Sequence, residues 1–184
     1  MIDLCKKILP SAVEVGGQYF EVKTDFQYWI RFTLMLEEKP LFTDFDFLYK
    51  NKIPEDRIKG FEALKAFAYP VHELPRAVGG NNSDEIPFSY ELDADLIYSA
   101  FMQQYGIDLV SEELHLHWYK FRALFDGLKD CKFTDIVGYR LFTPGAKLSE
   151  YDRSMLRLRD AWRIYPELDE ETKKEMAEFD RLFT

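Results

Sequence analysis

The chain has 184 residues, a formal charge of −9 at pH 7 and an aromatic share of 16%, and at that length it can bury roughly two-thirds of its unfolded surface without a metal or disulfide staple. The acidic balance argues against nucleic acid as partner, because attraction to a phosphate backbone needs a clustered cationic face. Cys5 and Cys131 stand far apart and read as reduced thiols, while no stretch has the apolar length of a signal peptide or of a spanning helix, so a location inside the producing cell is expected and no membrane.

The first predicted element is a hairpin over residues 11–23. Val13 and Val15 alternate with polar neighbours, Gly16-Gly17 supplies a turn that tolerates positive φ, and Phe20 and Val22 resume the alternation. A two-stranded ribbon needs a packing partner. Thr24 followed by Gln27 reads as a capping box that opens a helix running to about Lys39, before Pro40. Two stripes on that helix, Phe26-Trp29-Ile30-Thr33 and Tyr28-Phe32-Met35, leave it apolar over much of its circumference and mark it as central and buried. A brief helix is expected behind Thr43, and another after Pro54, with Ile58, Phe61, Leu64 and Ala68 at helical spacing until Tyr69-Pro70. Residues 70–88, with Pro75, Gly79-Gly80 and Asn81-Asn82, read as a mobile loop.

The half from 93 to 184 is helical throughout. Asp93 can cap a helix bearing Ile97, Phe101 and Tyr105, which Gly106 closes in the left-handed conformation. Ser111 is expected to cap the next, where Leu114, Trp118, Phe121, Phe125 and Leu128 recur at the spacing of packed antiparallel helices. A shorter helix follows Thr134 with Ile136, Val137 and Leu141. Ser149 caps another with Tyr151, Met155, Leu158, Trp162 and Tyr165 before Pro166, and a last one from about Asp169 carries Met176, Phe179 and Phe183. The expected fold is mainly α: a multi-helix bundle with a small N-terminal β-hairpin, forming a single domain over residues 1–184.

The string from Asp93 to Leu109, then His117-Trp118-Tyr119-Lys120-Phe121-Arg122-Ala123-Leu124-Phe125-Asp126-Gly127-Leu128, then Gly138-Tyr139-Arg140, resembles the phage gene-product-fifteen family of siphophages and prophages of Gram-positive bacteria. The resemblance runs most closely from Ser89 to Arg140 and extends to the hairpin and first helix, through Gly17 and Thr24-Asp25-Phe26. It implies a tail-assembly chaperone in the cytoplasm of the bacterial host, with the tape-measure protein as partner and the major tail protein as a second one. The alternative is a structural tail component retained in the virion.

Such a chaperone must cover the apolar stripes of a long helical client, and aromatic and arginine anchors suit that task. The candidate protein-binding residues are Trp118, Phe121, Arg153, Arg157, Trp162, Arg163 and Tyr165, although an aromatic at seam spacing is ordinarily core. Arg153 with Arg157, and Arg159 with Arg163, are like charges one helical turn apart and call for acidic neighbours. Those could be Glu150, Asp160 and the run Asp169, Glu170, Glu171, Glu175 and Glu178, or acids of a partner or a second copy, so self-association stays open.

No residues read as catalytic, and no cofactor or metal is expected. His115 and His117 point ~160° apart on a helix and cannot chelate one ion together; His117 reads as a partly buried residue bonded to a carbonyl. Asp93 and Asp108 make sense as cap and turn former. No phosphate loop or nucleophile elbow is present.

Overall fold

Adjacent glycines set the first element. Gly16 and Gly17, at φ +60° and +80°, form the tight turn that joins β1 (Ala12–Val15) to the antiparallel β2 (Gln18–Glu21), with Val13 opposite Phe20 and Val15 opposite Gln18. Both central residues need positive φ in a turn whose twist matches the strands, and glycine adopts it without strain. Val13 and Val15 turn inward, and the ribbon leans on a helix, α2 (Arg57–Ala68).

The computed structural model describes residues 2–36, 40–70 and 85–165. The chain is mainly α with this one two-stranded hairpin among the described residues, as expected. It divides into two compact units, one of Met1–Gly79 and Asp95–Lys129, the other of Gly80–Ala94 and Asp130–Thr184. The division does not follow the loop expected at 70–88, because the third and fourth helices belong with the N-terminal residues.

In the first unit α1 (Phe26–Met35) carries the buried Phe26, Trp29 and Phe32. The capping box expected at Thr24 does not form: Asp25 holds the cap position and its side chain makes no cap bond. The backbone does that work instead. Phe26 N–H donates to Leu116 O at 3.0 Å and Trp118 N–H donates to Thr24 O at 2.7 Å, around a bridge between Asp25 and His117, so the helix's orphan donor is satisfied by the chain crossing it. The same crossing explains a second difference. The helix expected from Ser111 begins at Trp118 (α4, Trp118–Asp126), because residues 116–118 are already engaged as extended backbone.

A 3-10 helix over Phe42–Leu48 stands behind Leu41, and α2 follows, capped by Asp56, whose carboxylate accepts from Lys59 N–H at 3.0 Å. Its buried face is Gly60, Leu64, Phe67 and Ala68 rather than the stripe beginning at Ile58, which is exposed. Gly60 is there for close approach: a Cβ would lie 3.0 Å from the Tyr49 hydroxyl and 3.2 Å from Pro54 Cγ. α3 (Ala94–Tyr105) closes at Gly106, φ +64°, whose N–H donates to Met102 O at 3.1 Å.

Aromatic stacking organises this unit's interior. Phe121 stacks on Phe26 at 4.6 Å and on Phe101 at 5.2 Å between centroids, and Trp29 stacks on Phe67 at 4.6 Å. Both buried indoles are satisfied, Trp29 Nε1 donating to Lys23 O at 2.8 Å and Trp118 Nε1 to Ala68 O at 3.0 Å, as polar handles on interior rings require.

The second unit contains α5 (Lys132–Arg140) packed on α6 (Glu150–Trp162), and the irregular residues 85–93 contact α5 through Pro87 and Phe88. Phe133 and Ile136 are its buried apolar residues on α5, and Phe88 meets Phe133 edge-on at 6.0 Å. The end of the first helix at 37–39, most of the 70–88 loop and the last helix from Asp169 lie outside the described residues.

Candidate protein-binding surface

α6 forms where the sequence places it. Ser149 Oγ accepts from Asp152 N–H at 3.1 Å in a reciprocal cap, and the Asp152 carboxylate accepts from the Ser149 hydroxyl at 2.6 Å and from Ser149 N–H at 2.7 Å, two bonds that, the hydroxyl's first, hold it below the usual carboxylate range. Glu150 and Asp152 in the first turn complement the helix dipole. Yet no residue of α6 is buried. Met155, Leu156 and Arg159 are half-buried, whereas Tyr151 is 66% exposed and Leu158 and Trp162 36% each. At about 100° per residue the packed edge and this exposed ridge lie roughly a quarter-turn apart, so the apolar stripe is offset from the face that meets the unit. Leu148 and Tyr165 prolong the ridge at its two ends, both more than half exposed.

What holds α6 is a buried ion pair. Arg140, at the end of α5, donates from Nη1 to Asp93 Oδ2 at 2.6 Å and from Nη2 to Asp93 Oδ1 at 2.9 Å, the side chains being 4% and 3% exposed. Its Nη1 also reaches Pro87 O at 3.2 Å, and its Nε donates to Trp162 O at 2.6 Å. The guanidinium fork thus satisfies a buried carboxylate and closes a free carbonyl at the C-terminus of α6. Asp93 also accepts from Ser89 N–H at 3.0 Å. It is the anchor of this network more than the simple helix cap its position suggests. Nothing in the sequence links residues 47 apart, although Arg140 and Asp93 stand in the first and last of the strings that carry the resemblance.

The seven candidate residues fall into two groups. Trp118 and Phe121, 1% and 0% exposed, are interior residues of the first unit and offer a partner no surface; their seam spacing reflects core packing. Arg153, Arg157, Trp162, Arg163 and Tyr165 are all exposed in the second unit. Arg163 pairs with Glu85 at 3.1 Å, an acid 78 residues away that no local spacing points to. Arg159 Nη1 reaches Phe142 O at 3.5 Å, and its buried Nε has Asp160 only at 3.8 Å, beyond hydrogen-bond reach. Among the described residues Arg153 and Arg157 have no ion pair. The acidic run from Asp169 lies outside those residues. Lys132 Nζ stands 5.3 Å over the Trp162 ring, which stays 36% exposed.

The polar residues elsewhere show structural arrangements. His117 Nδ1 accepts from Tyr119 N–H at 3.0 Å, capping α4, so Nε2 carries the proton and donates to Pro10 O at 2.9 Å. That is the carbonyl-bonded histidine expected, and both ring nitrogens are engaged. Burial lowers its pKa, and burial pushes the neighbouring Tyr119 hydroxyl up to about 12. Among the described residues no group of three or more His, Cys, Asp or Glu side chains is placed to hold a metal, and no helix is long and apolar enough to cross a membrane.

No curated protein and no solved structure matches the chain. A family model does, over residues 5–165, and its description is Bacteriophage Gp15 protein. That span takes in the hairpin, the six α-helices among the described residues and the Asp93–Arg140 pair, and the chain belongs to this phage family.

Proposed function

We propose that this phage protein is a non-catalytic tail-assembly chaperone, which binds the tape-measure protein in the host cytoplasm during tail morphogenesis, with the major tail protein as a second client. Family membership supports a phage structural or assembly role. The observation that carries the finer reading is the exposed ridge of α6, fixed at its C-terminal end by Arg140 on a chain of net charge −9. An apolar ridge on an acidic, soluble-surfaced body is what reversible cover of amphipathic helices requires: anchors to grip, and charge to keep the complex dispersed.

The test uses infected cells and purified virions. Capture of the tape-measure protein with this chain from lysates, together with its absence from mature virions, is the expected result. Stoichiometric presence in virions would instead make it a retained tail component.

A further inference from the structure

We infer that α6 is a detachable strap, which opens from α5 as one unit while the Asp93–Arg140 pair stays closed. The inference is independent of the chaperone reading, because it concerns the second unit alone. Apolar burial is what keeps so short a helix folded in water, since an isolated helix of fewer than about 12–15 residues is marginal. α6 has 13 residues, and none of them is buried. Its packed edge of Met155, Leu156 and Arg159 is only half-buried. α5 is held differently. Phe133, Ile136 and Arg140 are buried, and Pro87, Phe88 and Asp93 contact the helix without the help of α6. When α6 leaves, those partners remain.

The fastenings of α6 are few among the described residues, and most are polar. Trp162 O accepts from Arg140 Nε at 2.6 Å, Lys132 Nζ lies 5.3 Å over the Trp162 ring, and Arg163 forms a partly exposed ion pair with Glu85 at 3.1 Å. At the other end Tyr151 meets Phe142 edge-on at 6.1 Å. Partly exposed contacts of this kind exchange for water at little cost. Docking also carries a penalty. It takes Arg159 Nε out of water without giving it a hydrogen-bond partner, Asp160 standing 3.8 Å away, and an undocked helix returns that donor to solvent. Residues 141–149, which join α5 to α6, are mostly exposed and can follow the movement without uncovering an interior. Arg140 is the pivot. Opening breaks its Nε bond to Trp162 O and leaves its bonds to Asp93 and to Pro87 O in place. What the opening bares is the edge of Met155 and Leu156 and the surface of α5 beneath it.

Amide hydrogen exchange of the full chain in low urea reads this directly. An amide within α6 exchanges when the helix opens, and the urea dependence of its rate reports how much surface opens with it. The α6 amides are expected to exchange at least about a hundredfold faster than those of α5, with a urea dependence above zero and below that of global unfolding. Glu85→Gln, which removes the ion pair to Arg163, should speed α6 exchange by about threefold. Arg159→Met, which removes the unpaired donor and keeps a long apolar stem, should slow it. Both variants should leave the α5 rates where they are. Exchange of α6 with no urea dependence would mean fraying of single turns and would overturn the inference. So would α6 and α5 sharing one rate and one urea dependence, which would make them a single cooperative unit, and so would α6 rates that neither variant moves.

Discussion

His117 ties together three stretches of the first unit through one ring. Its Nδ1 caps α4 and its Nε2–H holds Pro10 O, while its backbone bridges Asp25. Burial is the largest cause of its lowered pKa, and protonation would also cost the Nδ1 acceptor that the Tyr119 N–H uses. The unfolded chain therefore binds this proton at higher pH than the folded one. Stability from His117 is fully present above the ordinary value of 6.5 and is lost as pH falls through it toward the depressed folded value. His117→Asn keeps a side-chain acceptor at the cap but removes the titration. Urea unfolding at pH 7.5 and 5.5, a pair of values chosen to lie about one unit either side of that titration, should show a steeper loss for the wild type than for this variant. Parallel pH slopes would contradict the assignment.

Between elements, Arg140 is the connector of the second unit. Arg140→Ala would strand the Asp93 carboxylate in an apolar setting and free the Pro87 and Trp162 carbonyls, at an expected cost of about 3–5 kcal/mol. Asp93→Ala should cost a similar amount, and the double variant clearly less than the sum, because the second change removes a charge already unpaired. Unfolding midpoints of the three variants measure this; additive losses would mean the two side chains act independently. The contrast with α6 shows how much of the fold could be read ahead of the structure. The Gly16-Gly17 turn, the Gly106 closure and the Ser149 cap are local devices, and each forms where its residues stand. The cap at Thr24 and the start at Ser111 fail because segments 24–26 and 116–118 pair with one another, a contact that no window of sequence contains. The candidate site was legible by the same measure. The spacing of Tyr151, Leu158 and Trp162 marks a stripe, but whether it is interior, like Trp118 and Phe121, or exposed depends on which helix arrives to cover it. Periodicity is blind to that choice, and the Arg140 anchor was hidden for want of any spacing rule.

For the molecule entire, the chaperone reading proposed above rests on how apolar surface and charge are distributed. Its aromatic residues make a stacked interior in the first unit, and the second unit keeps an aromatic and aliphatic ridge outside. A net charge of −9 opposes self-aggregation of a chain that exposes such a ridge. A client with apolar helices facing water has the converse difficulty, and pairing the two relieves both. The most direct measurement is the soluble fraction of the phage's own tape-measure protein when it is expressed with and without this chain. A tape-measure protein that is soluble and co-eluting with the chain, and insoluble alone, is the predicted result. One whose solubility is the same in both cases, with no complex in the eluate, would contradict the chaperone account.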